Sequence, residues 1–216
     1  GELSGHPSAE GVELVPEWGD VFLRPGRRNE SRRDVLRSDE GRAEVLDDLF
    51  GDLREEDFRR SRLFDLIDGY RPDIIIDCIN TATAIAYQDL FSSAQGLREL
   101  IRGGGHPTVA DVEAHLTTLY LPQLIRHVQG LMYAMRSAGT LFYLKIGTSG
   151  TGGMGLNIPF THSEERPSPT LLSKASIAGA HSALMFLMGR TPGGPVVKEV
   201  KPTAAVAWKR IRYGEV

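Results

Sequence analysis

Ile74-Ile75-Ile76 is a run of β-branched residues with no polar alternation. Such side chains favour extended backbone. A strand without alternation is predicted to be covered on both faces, as in a parallel sheet. Pro72 ends the helical pattern before the run, because proline cannot continue a helix. The run closes in Asp77-Cys78-Ile79-Asn80-Thr81-Ala82-Thr83. Small polar residues past the carboxyl end of a parallel strand are where open α/β sheets bind ligands.

Two further runs follow the same logic. Residues 141–146 read as a second buried strand ending in Gly147-Thr148-Ser149, and Val196–Val200 as a third, broken by Lys201-Pro202. Helical patterns lie before and between them. Phe58, Leu63, Phe64 and Ile67 precede the first strand. Thr108, followed by Asp111, is an N-cap with its acidic partner three residues on. Leu124, Val128, Leu131 and Met135 belong to a wide apolar stripe with a break or kink at Pro122 and a stop at Gly139. Residues 171–188 are rich in Ala, Leu and Met. The alternation predicts an α/β fold: a Rossmann-like, mostly parallel sheet with helices on both faces, formed by residues 1–216 as a single domain. Upstream, we expect a strand near residues 12–15, a solvated helix-and-loop region over 24–44, and a short strand or helix end at 45–50.

Composition narrows the function. A formal net charge of -3 gives no electrostatic case for nucleic acid or an anionic membrane. No apolar run reads as long enough to span a bilayer. Cys78 is the only cysteine, which excludes an intramolecular disulfide and a cysteine metal cluster and favours a cytoplasmic setting.

Residues 143–174 carry the chemistry: a buried strand, a glycine-rich loop with hydroxyls, then a helix start bearing Lys174. Thr148 and Ser149 are placed to face the crevice at the strand's carboxyl end. Lys174 near a helix N-terminus opposes the helix dipole. It therefore faces either an anionic or hydroxyl-rich ligand, or a carboxylate such as Glu164 or Glu165. Asp52 either hydrogen-bonds a polar ligand or caps the helix after it. Asn80 and Thr81 either contact a ribose or close a turn.

Four segments together resemble the short-chain dehydrogenase/reductase superfamily, in particular its extended, epimerase/dehydratase-like branch. They are Gly51-Asp52-Leu53 with Arg71-Pro72-Asp73 before the isoleucine strand, Asn80-Thr81-Ala82-Thr83, Gly147-Thr148-Ser149, and the run through Pro159 and Pro167 to Ser173-Lys174-Ala175. Lys201-Pro202 fits a fifth position. The resemblance implies an NAD- or NADP-dependent oxidoreductase or epimerase-like enzyme acting on a carbonyl or alcohol. It implies that Asp52, Leu53, Asn80, Thr81, Ala82, Lys174 and Pro202 bind the cofactor. It also implies that Thr148, Ser149, Thr170 and Lys174 form the catalytic set, and that two apolar helices pair in a homodimer.

Two departures from the family pattern matter. Thr170 stands where the family has its general-acid tyrosine, four residues before the lysine, and an aliphatic hydroxyl is far too weak an acid for that task. The family's opening strand, glycine-rich turn and helix are not visible upstream of Leu23, and Gly150 to Gly155 lacks the helix that a phosphate loop requires. The other expectations are a non-catalytic nucleotide-binding or scaffold relative, and a lyase or hydrolase using His162 and Glu165.

Overall fold

The computed structural model describes residues 11–52, 54–147 and 168–200. Nine α-helices and three strands are formed among them. A 3-10 turn, Pro25–Arg27, leads into α1 (Arg32–Val35), α2 (Asp39–Phe50), α3 (Glu55–Phe58) and α4 (Arg62–Tyr70). Strand β1 (Ile74–Asp77) follows, then α5 (Thr81–Ala86), α6 (Leu90–Arg102), α7 (Val109–Leu116) and α8 (Tyr120–Ala138). Strand β2 (Phe142–Ile146), α9 (Pro169–Arg190) and β3 (Val196–Val200) complete the order.

The helix starts are written locally. Ser38, Ser61, Asn80, Thr108 and Ser168 each accept a backbone N–H three residues on, satisfying a donor that the first turn leaves open. Thr108 and Asp111 form the expected reciprocal capping box. Gly139 ends α8 with φ of 77°, a left-handed conformation that glycine adopts without a Cβ clash. Pro122 lies within the first turn of α8, where its missing N–H costs nothing, and the chain breaks before it, between α7 and α8. Residues 45–50 are helical, the end of α2. The expected strand at 12–15 is not formed: Val12, Leu14 and Val15 are exposed, irregular chain. Pro16 and Gly19 interrupt the segment before it can pair.

The sheet is parallel with strand order β1-β2-β3. Its register stacks two rows on one face. Ile75, Tyr143 and Val197 form an apolar row, and Asp77, Lys145 and Glu199 a charged row nearer the carboxyl ends. The main core joins this face to α4, α5, α8 and α9 through Phe64, Ile85, Leu124, Leu131, Met135, Ile177 and Met185. The opposite face departs from the sequence expectation. Among the described residues no helix covers it, and Ile74 and Ile76 are 60% and 63% exposed. An unbroken β-branched run is compatible with burial on both faces but does not supply the second layer.

A second, smaller core of Leu23, Val35 and Val45 holds the N-terminal helices together. Arg126 of α8 ties them to the main body by donating to the carbonyl oxygens of Leu49 and Gly51. Helix α9 is long and apolar enough by length and composition to cross a membrane, which the reading of apolar runs did not anticipate. Its apolarity is used here for packing on β3 and α5.

Candidate functional site

The carboxyl ends of β1 and β2 open onto a crevice. Its walls come from the turn after β1 (Ile79, Asn80, Thr81, Ala82), from Lys145 and Gly147, and from Ala178, His181 and Glu199. It holds about 260 Å³ of space, some of it open to solvent. The part that a water-sized sphere can enter is only about 20 Å³, far below the range of about 300–1,000 Å³ usual for small-molecule sites.

Beneath the crevice lies a buried polar network. Tyr143 Oη donates to Asp77 Oδ2 at 2.6 Å, and Lys145 Nζ lies 2.9 Å from the same oxygen. Asp77 Oδ1 accepts the Ile79 N–H at 2.8 Å, and Lys145 Nζ also donates to the Ile79 carbonyl at 2.6 Å. These bonds fold the chain sharply after β1 and set the start of α5. Burial pushes the Asp77 carboxyl up, but the Lys145 charge and the hydrogen bonds from Tyr143, Lys145 and Ile79 outweigh it and hold the group below the ordinary carboxylate range. For Tyr143, burial and then the Asp77 charge push the phenol well above its ordinary range. Tyr143 is wholly buried, held as a neutral donor and absent from the crevice lining, so it is not placed to act as a general acid there.

His181 joins the crevice from α9 and faces His127 of α8 edge-on, with ring centroids 6.1 Å apart. His127 also packs against Phe22, and it lines a separate cavity under the N-terminal helices. Burial, then the neighbouring His181, lowers its imidazole to about 4, so the ring is neutral. His127 Nε2 is sealed from solvent and has no hydrogen-bond partner among the described residues.

The sequence-predicted residues divide into three groups. Asn80, Thr81 and Ala82 line the crevice. Asn80 also caps α5 by accepting the Thr83 N–H, so its turn-closing role is real. The Thr81 hydroxyl is buried and lacks a hydrogen-bond partner among the described residues. Lys174 is buried and lies one turn before Ala178 on the helix face that also presents His181. It makes no ion pair with another described residue. Thr170 is half-buried one turn earlier still. Asp52 lies elsewhere: it lines the cavity under the N-terminal helices and pairs with Arg54 at 2.9 Å. The cap of α3 is Arg54, so the capping role expected of Asp52 is not seen. Leu53, Thr148, Ser149, His162, Glu164, Glu165 and Pro202 lie outside the described residues.

Lys145, His181 and Glu199 escaped the sequence reading, which named Asp77 only as the first residue of the segment closing the strand. One signal was present: Lys145 is the lone charge in an otherwise apolar strand, two residues from Tyr143 and therefore on the same sheet face. Among the described residues, no group of three or more His, Cys, Asp or Glu side chains is placed to hold a metal ion. Comparison with family models, curated proteins and solved structures finds no match.

Proposed function

We propose that this is a Rossmann-like, NAD(P)-binding protein of the oxidoreductase or epimerase/dehydratase type, with its cofactor at the carboxyl edge of β1 and β2. The observation that carries the reading is the crevice itself. It lies at the end of a parallel sheet, is rimmed by Asn80–Ala82 and contains a buried Thr81 hydroxyl without a hydrogen-bond partner among the described residues. Thr81 and Asn80 would hold ribose hydroxyls, and Lys174 would meet an oxygen of the same ligand. A bound nicotinamide would supply hydride transfer to or from a carbonyl or alcohol carbon. The Asp77–Lys145 pair fixes the turn that carries these groups. The reading also places the protein in the cytoplasm, with the Cys78 thiol exposed, and pairs two copies through α8 and α9.

A second reading, a non-catalytic nucleotide-binding relative, draws on the acid position. Thr170 cannot donate a proton at neutral pH, and the Tyr143 phenol is engaged with Asp77 and closed to solvent. Titration with NADH and NADPH, followed by nicotinamide fluorescence, tests the shared premise of both readings. Absence of saturable binding at millimolar nucleotide would sink both. With binding established, hydride exchange that disappears in Lys174→Ala marks the enzyme. Loss of affinity alone, with no exchange in either protein, marks the binding relative.

A further inference from the structure

At the far end of α5 from the crevice lies a larger groove, open to solvent, with about 1230 Å³ of space. Its walls are the start of α1, the last residues of α5 with Tyr87 and Gln88, and the turn between α7 and α8 at Thr117 and Thr118. Three arginines of the α1 region line it. Arg37 is held by Asp34 at 2.8 Å. Arg32 and Arg33 make no ion pair among the described residues.

Arg32 is the informative one. Its Nε is sealed from solvent with no hydrogen-bond partner among the described residues. The hydrogen bond its guanidinium does make is long, 3.3 Å to the Thr117 carbonyl. The acid in the groove wall, Asp20, is occupied in accepting the Phe22 N–H and forms no salt bridge with Arg32. Burial lowers the Arg32 guanidinium below its ordinary range, and the Asp20 charge only partly opposes this. A desolvated cation without a counter-ion is costly, and proteins retain such groups where a partner anion completes them. Gln88 adds a second open valence: its Oε1 is buried without a donor, while its amide NH₂ donates to the Ala84 carbonyl. Tyr87, on the same wall, is 64% exposed.

We propose that this groove binds a small organic oxyanion, a phosphate monoester or a carboxylate, through Arg32 and Arg33, with its ring or apolar body on Tyr87. Guanidinium forks match both oxyanions in bidentate geometry. A hydroxyl or N–H on the ligand would satisfy Gln88 Oε1. The proposal does not depend on the nucleotide reading, because the two sites lie at opposite ends of α5 and share no lining residue.

The test is calorimetric titration of the 216-residue chain with phenyl phosphate, inorganic phosphate and benzoate. Phenyl phosphate or benzoate should bind saturably and more tightly than inorganic phosphate. Preference for phenyl phosphate assigns a phosphate monoester, and preference for benzoate assigns a carboxylate. Arg33→Gln, an exposed substitution that should not disturb folding, should weaken binding by roughly tenfold, as loss of one charge-assisted contact requires. Arg32→Gln should abolish binding and raise the ligand-free melting midpoint, since it removes a desolvated cation. If Arg32→Gln does not fold, Arg33→Gln decides. No saturable binding at millimolar ligand overturns the proposal, as does affinity unchanged in Arg33→Gln. Binding lost in Lys174→Ala but kept in Arg33→Gln would move the anion to the strand-edge crevice and equally overturn it.

Discussion

The Lys145 ammonium lies 2.9 Å from Asp77 Oδ2, with 3% and 8% of the two side chains exposed. So little water reaches the pair that each charge depends on the other. Lys145→Met leaves a carboxylate buried without its cation, and should cost about 3–5 kcal/mol in urea unfolding. The double variant Asp77→Asn/Lys145→Met should cost less than the sum of the single variants, because it leaves no orphan charge. Additive losses would show that the pair does not act as a unit.

Tyr143→Phe separates packing from polarity at the same site. The ring stays in its apolar row, and only the bond to Asp77 is lost, so the expected cost is about 1–2 kcal/mol. Nucleotide binding and any hydride exchange should be unchanged, because the phenol is closed to solvent. A large loss of exchange at wild-type stability would give Tyr143 a part in the chemistry.

His127 sets an acid limit. The folded protein holds its imidazole at about 4, against 6.5 ordinarily. Between these values the unfolded chain binds a proton that the folded chain does not, so stability is highest above pH 6.5 and falls as pH drops toward 4. The full loss is roughly 3 kcal/mol. His127→Leu should flatten this part of the stability profile measured by denaturant titration. An unchanged slope would place the acid sensitivity elsewhere.

Helices α8 and α9 expose large apolar side chains, among them Leu121, Ile125, Leu172 and Phe186. If they pair two copies, light scattering should give twice the 23.7 kDa chain mass. Ile125→Glu or Phe186→Glu should then return the monomer mass. A wild-type monomer at high micromolar concentration would remove the dimer.

Gly41 sits where α2 crosses the end of α1, and an added Cβ would drive into the Val35 carbonyl. Gly41→Ala should therefore destabilise by about 1–3 kcal/mol, although alanine is the better helix former. An increase in stability would mean that the α1–α2 junction yields.

The strands and most helix ends were legible because their signals are local. Pro72, Gly139, Thr108 and the three β-rich runs each act on their immediate neighbours. The residues around the crevice were half legible. Asn80, Thr81 and Ala82 follow from their place after a parallel strand. Asp77, Lys145 and His181 do not, because their association depends on a register between segments more than sixty residues apart and on which face of α9 turns inward. The side of the sheet that no described helix covers was hidden for a related reason. Ile74 and Ile76 announce a strand, but the layer that would cover them is not encoded in the strand itself. Asp52 stands apart from the crevice because the helices that follow it pack on α8, away from the carboxyl ends of the strands.

The contact between Tyr143 and Asp77 spans 66 residues of chain. Pairing β1 with β2 therefore closes a long loop, whose entropy opposes the step. A fold that rests on contacts of such separation is expected to form slowly. If the network below the crevice closes after the folding transition state, it is a latch: loosening it shortens the lifetime of the folded chain and leaves the speed of its formation almost untouched, whereas slowed refolding of Tyr143→Phe would place it in the folding nucleus.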